Sequence, residues 1–294
     1  KVVGFRPLMT AKPSIKSWPR IVRQSLPVGI TDVGVMSIRR LDLILLGAIA
    51  GPAAAGLYYS AQQVVTVPQK INALFEPMLS PVMAKLHNQK NTVQIRENLM
   101  TVCRWIFIFQ LAITVPLIVF SDDVMGLFGT DFRVGALILC ILLLAELVDG
   151  TFISVETPLI YAKPKIPPTL LMLALVIEVA SITIMSSIWG AHGAAFGFLI
   201  TLSCLALARL FMLKKHLNIS VLSKSYIIPM ITGLIMAGAL WVLRDLQSTG
   251  PMVNVIGIVI ALLLFAFIIK NFAMTKSDRT LIRALSRKRK RVAS

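Results

Sequence analysis

The chain has 294 residues, of which 56% are hydrophobic, and its mean hydropathy of +0.81 excludes an ordinary soluble domain. The formal net charge is +17, but the basic residues are dispersed between apolar stretches without aromatic interleaving, so we expect no binding of nucleic acid. The apolar stretches are continuous rather than alternating, which excludes a β-barrel. We therefore expect an all-α fold, a polytopic transmembrane helix bundle.

Eight apolar stretches follow one another along the chain, and each is about as long as the ~20 residues that cross ~30 Å of hydrocarbon. Basic residues are concentrated in or beside every second gap and at both ends, and the other gaps are short or carry mainly Asp. By the positive-inside rule, the basic gaps and both ends of the chain face the cytoplasm. The stretches are 20–50, 55–86, 96–120, 132–161, 166–189, 192–213, 226–243 and 252–273.

The two ends of the chain are basic and lack apolar stretches. Residues 1–17 have no signal-peptide pattern and start without Met, so we interpret them as a cytoplasmic linker that continues from an upstream segment. Residues 276–294 form a basic tail, which is either a solvated topology anchor or a contact for anionic lipid headgroups.

The first two stretches are longer than a bilayer needs and contain kinking residues, among them Pro27, Pro68, Pro77 and Pro81. Such kinks either line a cavity or only improve packing. The small residues of 51–56 predict a tight turn between these helices, and those of 190–197 predict another between the fifth and sixth. Small residues also let helices approach closely in lipid.

Ionisable residues inside the apolar stretches are the candidates for a functional site, because a charge facing lipid costs at least ~2.5–3.5 kcal/mol at the bilayer centre. One interpretation is structural ion pairs, with Arg39 and Asp42 as the best-placed pair. The other is a hydrated cavity, which an excess of acids over bases favours. The bases are Arg39, Arg40 and Lys70, and the acids are Asp32, Asp42, Glu76, Glu146, Asp149, Glu156 and Glu178.

No pattern of a catalytic or metal site is present in the sequence. Cys103, Cys140 and Cys204 fall inside predicted helices, where they act as small apolar side chains. The three histidines are far apart, and hydrolase, ATPase and metalloprotease motifs are absent from the sequence. We expect no catalytic residues, no metal and no cofactor.

Several short strings resemble bacterial polysaccharide transporters, the oligosaccharide and O-antigen flippases of the multidrug/oligosaccharidyl-lipid/polysaccharide exporter superfamily. Arg40-Leu-Asp-Leu-Ile-Leu-Leu-Gly47 is followed by Ala55-Gly-Leu-Tyr-Tyr-Ser-Ala61. Further similar strings begin at Pro77, Leu127 and Gly193, and the resemblance covers about residues 18–215. It implies a transporter of the bacterial cytoplasmic (inner) membrane that flips a polyprenyl-diphosphate-linked oligosaccharide for O-antigen, capsule or exopolysaccharide synthesis.

The resemblance also implies a division of the chain. Residues 18–217 would form a C-terminal six-helix lobe, 218–275 two additional helices, and the partner N-terminal lobe of the same protein would be missing. Arg39, Arg40 and Lys70 would contact the diphosphate, since cationic side chains suit phosphate oxygens. The acids would bind the glycan, pair with the bases or couple transport to protons or sodium, in a protein surrounded by membrane lipids.

Two other functions are compatible with the pattern. An ion-coupled multidrug or organic cation antiporter would use the acids, although the three bases argue against it. A membrane-embedded glycan polymerase or glycosyltransferase would need a substantial segment outside the membrane, and the longest gap on the outer side, 121–131, has about a dozen residues.

Overall fold

The computed structural model describes Trp18, Pro19, Val22 and Leu26 together with residues 40–245 and 251–274. All regular secondary structure in this part of the chain is helical, so the expected all-α bundle is confirmed. The predicted linker 1–17, the tail 276–294 and the candidate residues Asp32 and Arg39 lie outside the described residues.

Nine α-helical segments, numbered in chain order, make up the described bundle. Short 3-10 helices precede α5, α6 and α8 at Thr130–Gly135, Ile153–Val155 and Lys224–Tyr226, and α9 ends in a π-helix at Ile269–Ala273. The segments are α1 (40–50), α2 (Pro52–Asn88), α3 (Thr92–Val119), α4 (Ser121–Gly126), α5 (Ala136–Phe152), α6 (Glu156–Ala162), α7 (Ile166–Leu217), α8 (Ile227–Asp245) and α9 (Pro251–Ile268).

The connection between α1 and α2 is shorter than the sequence predicts. Only Gly51 separates the helices, with φ 87° and ψ 171°, a conformation that residues with a Cβ rarely adopt. Pro52 then occupies the first turn of α2, where its missing N–H costs nothing. The Asp42 side chain meets Tyr58, so the two helices run antiparallel. The remaining small residues of 53–56 belong to α2 rather than to a turn.

The second predicted turn, in α7, is also shorter than expected. Trp189 and Gly190 have non-helical backbone angles and divide the helix into a first arm (166–188) and a second arm (191–217). Ser181 in the first arm donates a hydrogen bond to the Gly197 carbonyl at 3.1 Å, which shows that the arms are antiparallel. Gly193 and Gly197 face the backbone of the first arm, so the expected close approach through small residues is confirmed.

The proline-containing helix α2 is continuous from Pro52 to Asn88, although Pro68, Pro77 and Pro81 lie inside it. In contrast, the fourth apolar stretch, which we expected to be one helix, is interrupted by the 3-10 turn Ile153–Val155 between α5 and α6.

Five helical segments of the described chain are long and apolar enough to cross a membrane, and one of them, Ile166–Leu217, contains the two arms of α7. Their length and apolar composition are those of helices in a multi-pass membrane protein. The segments are Thr92–Val119, Thr130–Ala162, Ile166–Leu217, Lys224–Asp245 and Asn254–Ala273.

The core of the bundle consists of α2, α5 and the arms of α7, with α3 beside them. Helices α8 and α9 pack against α3, where Leu240 and Phe265 share a buried cluster with Ile108 and Leu111. Arg244 at the end of α8 donates hydrogen bonds to the Val119 carbonyl at 2.7 Å and to Asp122 at 2.6 Å. These two helices are therefore attached to the bundle through α3.

The connections gather at two ends of the bundle, as alternating sidedness requires. At one end, which we call the basic end, Arg96 donates to the Ser220 carbonyl and the His87 ring stacks on Tyr161. Asn91, at the same end, caps α3 by accepting a hydrogen bond from the Gln94 amide at 3.1 Å. The Arg244–Asp122 ion pair lies at the opposite end.

Candidate functional site

The helix α2 carries two rows of polar side chains. Tyr58, Gln62, Gln69 and Asn72 recur at helical spacing on its inward face, where Tyr58 is fully buried and the three amides are partly buried. Gln63, Thr66 and Lys70 follow one another along its exposed face. A helix within a membrane bundle rarely has polar groups on two faces unless one of them faces water or a ligand.

A cavity of about 340 Å³ adjoins these two rows. Side chains from α1, α2, α5 and the second arm of α7 line it, and most of the lining from α2 is polar. Arg40, at the start of the described part of α1, is its cationic member. The lining residues are Arg40, Gln62, Gln63, Val65, Thr66, Gln69, Leu142 and Phe198.

Asp42 on α1 accepts three hydrogen bonds, and two of them connect α1 to α2. Its Oδ2 atom accepts from the Tyr58 hydroxyl at 2.7 Å and from the Gln62 side-chain amide, while its Oδ1 atom accepts from the Leu43 backbone amide at 2.7 Å. Asp42 and Tyr58 are fully buried. Because Gln62 also lines the cavity, this hydrogen-bonded group reaches from the interior of the bundle to the cavity wall.

Glu146 on α5 is fully buried and accepts a hydrogen bond from Gln69 Nε2 at 3.0 Å. Gln69 also lines the cavity, one turn of helix after Thr66. The second predicted acid is therefore linked to the same cavity through one amide side chain.

Glu178 on the first arm of α7 is fully buried, and neither of its carboxylate oxygens has a hydrogen-bond partner among the described residues. It lies close enough to Asp42 and Tyr58 to interact electrostatically with both. Two buried carboxyl groups near each other favour a proton or a bound cation between or beside them. The sequence placed Glu178 alone in the fifth stretch, and only the packing of α7 on α1 brings it to Asp42.

Asp149 and Glu156 form a different group from Glu146, although all three lie on the fourth stretch. Arg209, on the second arm of α7, binds Asp149 through Nη1 and binds Glu156 through Nε at 2.6 Å. The Arg209 and Asp149 side chains are almost completely buried, at 4% and 3% exposure. An arginine shared by two carboxylates is a structural ion pair, while a role for these acids in the cavity or in ion coupling stays a prediction.

Arg209 and Arg104 are buried charged residues that the sequence interpretation missed. Both are 3% exposed inside their helices, yet they lie near the basic ends of the sixth and third stretches, so we assigned them to the loops. Their burial reduces the apparent excess of acids over bases inside the bundle. The fourth stretch contains Glu146, Asp149 and Glu156 with no base between them, and this imbalance was the signal that a base from another helix pairs with them.

The remaining predicted site residues are at the surface of the described lobe. Arg40, Lys70 and Glu76 are exposed, and of these only Arg40 lines the cavity. Lys70 is one turn after Thr66 on the same exposed face of α2. In the part of the chain that the structure describes, no group of three or more His, Cys, Asp or Glu side chains is placed to hold a metal ion.

The described helices form a bundle with buried charges and a partly polar cavity between them. Comparison with known proteins shows what this bundle is similar to. Residues 3–134 match the model of a polysaccharide biosynthesis protein family. The teichuronic acid biosynthesis protein TuaB of Bacillus subtilis (strain 168) is 31% identical over 104 residues, which are 35% of this chain and 21% of that protein.

The fold is similar to a solved structure of lipid II flippase MurJ in an inward closed conformation. The TM-score is 0.66 at 16% sequence identity, and the match covers 90% of this chain and 57% of that chain. The chain thus spans about a fifth of the curated relative and just over half of the structural neighbour. These matches confirm the resemblance to polysaccharide transporters and flippases.

Proposed function

We propose that this chain is the C-terminal portion of a transporter that flips a polyprenyl-diphosphate-linked oligosaccharide across the bacterial cytoplasmic membrane. The observation that carries the proposal is the cavity of about 340 Å³, whose lining includes glutamine, threonine and arginine side chains, in a bundle with a fold similar to that of a flippase. The substrate would belong to O-antigen, capsule or exopolysaccharide synthesis. The protein would act as a transporter without catalysing a chemical reaction.

The physical problem of such transport is to move a polar glycan and a diphosphate through hydrocarbon while the lipid tail remains in the bilayer. A wall of amides and hydroxyls replaces the hydrogen bonds that the glycan gives up to enter the membrane. Gln62, Gln63 and Gln69 supply both donors and acceptors there. We infer that a missing N-terminal lobe closes the cavity from the other side, and that rocking of the two lobes gives alternating access.

The diphosphate would be bound by the cationic side chains at the cavity. Arg40 lines the cavity wall, and Lys70 extends the same exposed face of α2 beyond Thr66. Arg39 is next to Arg40 in the sequence. An arginine fork donates two parallel hydrogen bonds to phosphate oxygens, whereas lysine acts as a point charge.

The buried acids would serve the energetics of transport. Asp42 and Glu146 contact amides of the cavity wall, and Glu178 lies beside Asp42 without a hydrogen-bond partner among the described residues. Binding of a proton or sodium ion at such a group changes its charge, so the ion would bias the lobe between its two orientations. Asp32, Glu76, Asp149 and Glu156 remain candidates for the same role or for glycan contacts.

The experiment uses the full-length protein in a flippase-null strain, with surface polysaccharide and protein level measured together. We expect Arg39→Ala and Arg40→Ala to abolish surface polysaccharide at unchanged protein level. Arg244→Ala is the matched control, because it removes an arginine that pairs with Asp122 and does not line the cavity. Full restoration of polysaccharide by both single variants and by the double variant would show that the diphosphate role is wrong.

An ion-coupled antiporter of organic cations is the second candidate, and the buried acids Asp42 and Glu178 are the observation that favours it. In that case, cells that produce the protein should export cationic dyes, and Glu178→Gln should stop the export. A flippase predicts no dye export and a dependence on Arg40. The two measurements therefore distinguish the functions.

A further inference from the structure

The fourth membrane segment contains a break close to Pro158, which has no N–H to donate to the Ser154 carbonyl four residues earlier. α5 ends at Phe152, whose backbone angles are φ −110° and ψ 0°, and three residues of 3-10 helix precede α6. A short 3-10 stretch in the middle of a helical segment is typical of a hinge. Val155 in the break and Leu159 beyond it are fully buried, so the break lies inside the bundle and not at its surface.

Arg209 bridges the two sides of this break. Asp149 lies on α5 before the 3-10 turn, and Glu156 is the first residue of α6 after it. The Arg209 guanidinium binds both carboxylates from the second arm of α7, with an Nε–Oε1 distance of 2.6 Å to Glu156. A single rigid fork thus holds two points that lie on opposite sides of the turn.

α6 is also attached to the cavity helix. The Tyr161 hydroxyl is 2.9 Å from the Ser80 hydroxyl of α2, and the Tyr161 ring stacks on His87 near the end of the same helix. The attachment to α2 is exposed, whereas the attachment to α7 through Arg209 is buried. Hydrogen bonds that involve charged groups in a poorly solvated site are stronger than neutral ones at the surface.

We propose that Ile153–Val155 is a hinge and that Arg209, Asp149 and Glu156 form a strap that sets its angle. Because the strap attaches α6 to α7, α6 moves together with α7. A movement of α2, which also contacts α6, is therefore resisted by α7. Loss of the Arg209–Glu156 contact frees α6, which follows the hinge, while Arg209 and Asp149 remain a balanced pair of opposite charges. The inference holds whichever substrate the cavity takes, since it rests on contacts outside the cavity.

Hydrogen–deuterium exchange of the full-length protein in lipid nanodiscs tests the strap. We expect Glu156→Ala to speed exchange of the amides of 156–162 by about tenfold or more, the factor that loss of a hydrogen bond to a charged group implies. Exchange in 227–245 should not change. Asp122→Ala is the matched control, because it breaks another arginine–carboxylate pair among the described residues, at the end of the bundle opposite the basic end.

Glu156→Gln should give a smaller increase, because a glutamine carbonyl can still accept a hydrogen bond from Arg209 without the charge. Arg209→Met should have the larger effect on both sides of the turn, but it leaves two buried carboxylates and can prevent folding. Glu156→Ala avoids that problem, and its exchange rates therefore test the strap. Unchanged exchange of 156–162 in that variant, or an equal increase across the whole lobe, would overturn the proposal.

Discussion

Two glycines lie in the contact between the arms of α7, and a third glycine, on α8, lies in open space. Alanine substitution at the three positions should therefore have different effects on stability. A Cβ at Gly193 would overlap the Met185 carbonyl, and one at Gly197 would lie 2.9 Å from the Ile182 amide nitrogen and 3.0 Å from its Cα. Both obstacles are backbone atoms, which cannot rotate away as a side chain can. A Cβ at Gly238 on α8 would meet nothing within 4 Å.

The expected energies follow from these contacts. Alanine at Gly238 should stabilise the protein by up to ~1 kcal/mol, the difference in helix propensity. The same gain is available at Gly197, but overpacking against the first arm costs about 1–3 kcal/mol, so the net result should be a modest loss. Gly193→Ala requires the arms to separate further, and we expect a loss of about 3 kcal/mol or more.

Thermal unfolding of the three purified variants in one detergent measures the order. The melting temperature should fall from Gly238→Ala through Gly197→Ala to Gly193→Ala, and the last should also lower the yield of folded protein. Equal melting temperatures for Gly193→Ala and Gly238→Ala would show that the arms do not pack at backbone contact, and the reasoning from small residues would be refuted.

Three further predictions concern the buried polar groups. Asp42→Ala should destabilise the protein by about 2–6 kcal/mol in thermal unfolding, because the Tyr58 hydroxyl and the Gln62 amide lose their acceptor at ~1–3 kcal/mol each. A loss of stability no larger than that of Tyr58→Phe would contradict this expectation. Glu178→Gln should leave the free energy of unfolding within about 1 kcal/mol of that of the parent, because the isosteric amide replaces a carboxyl group without hydrogen-bond partners in the described chain. The same substitution should remove the dependence of transport on a proton or sodium gradient. Retained gradient dependence would exclude Glu178 as the coupling group. Gly150→Ala should cost about 1–3 kcal/mol, since its Cβ would overlap the buried amide of Gln110, and an unchanged melting temperature would show that this amide moves freely.

The sequence interpretation was least successful with charges near helix ends. Arg209 lies four residues before the predicted end of its stretch, where a cytoplasmic position agrees with the positive-inside rule. In the structure the helix continues to Leu217, which places Arg209 about 12 Å inside it at ~1.5 Å per residue. A count of charges cannot distinguish a residue that extends to the interface from one that turns inward to an acid. The Arg209 side chain turns inward because it binds Asp149 and Glu156, which are 60 and 53 residues away in the sequence.

The sequence alone determined the membrane class, the eight apolar segments and the resemblance to polysaccharide transporters. These properties follow from local composition, because a span needs only a run of apolar residues of sufficient length. The tertiary structure decided which charges meet. Asp42 binds Tyr58 and Gln62, Glu178 approaches Asp42, and Arg209 binds across the break in the fourth segment. Such contacts depend on how helices rotate and cross in the bundle, and packing sets these angles over distances that no local pattern encodes.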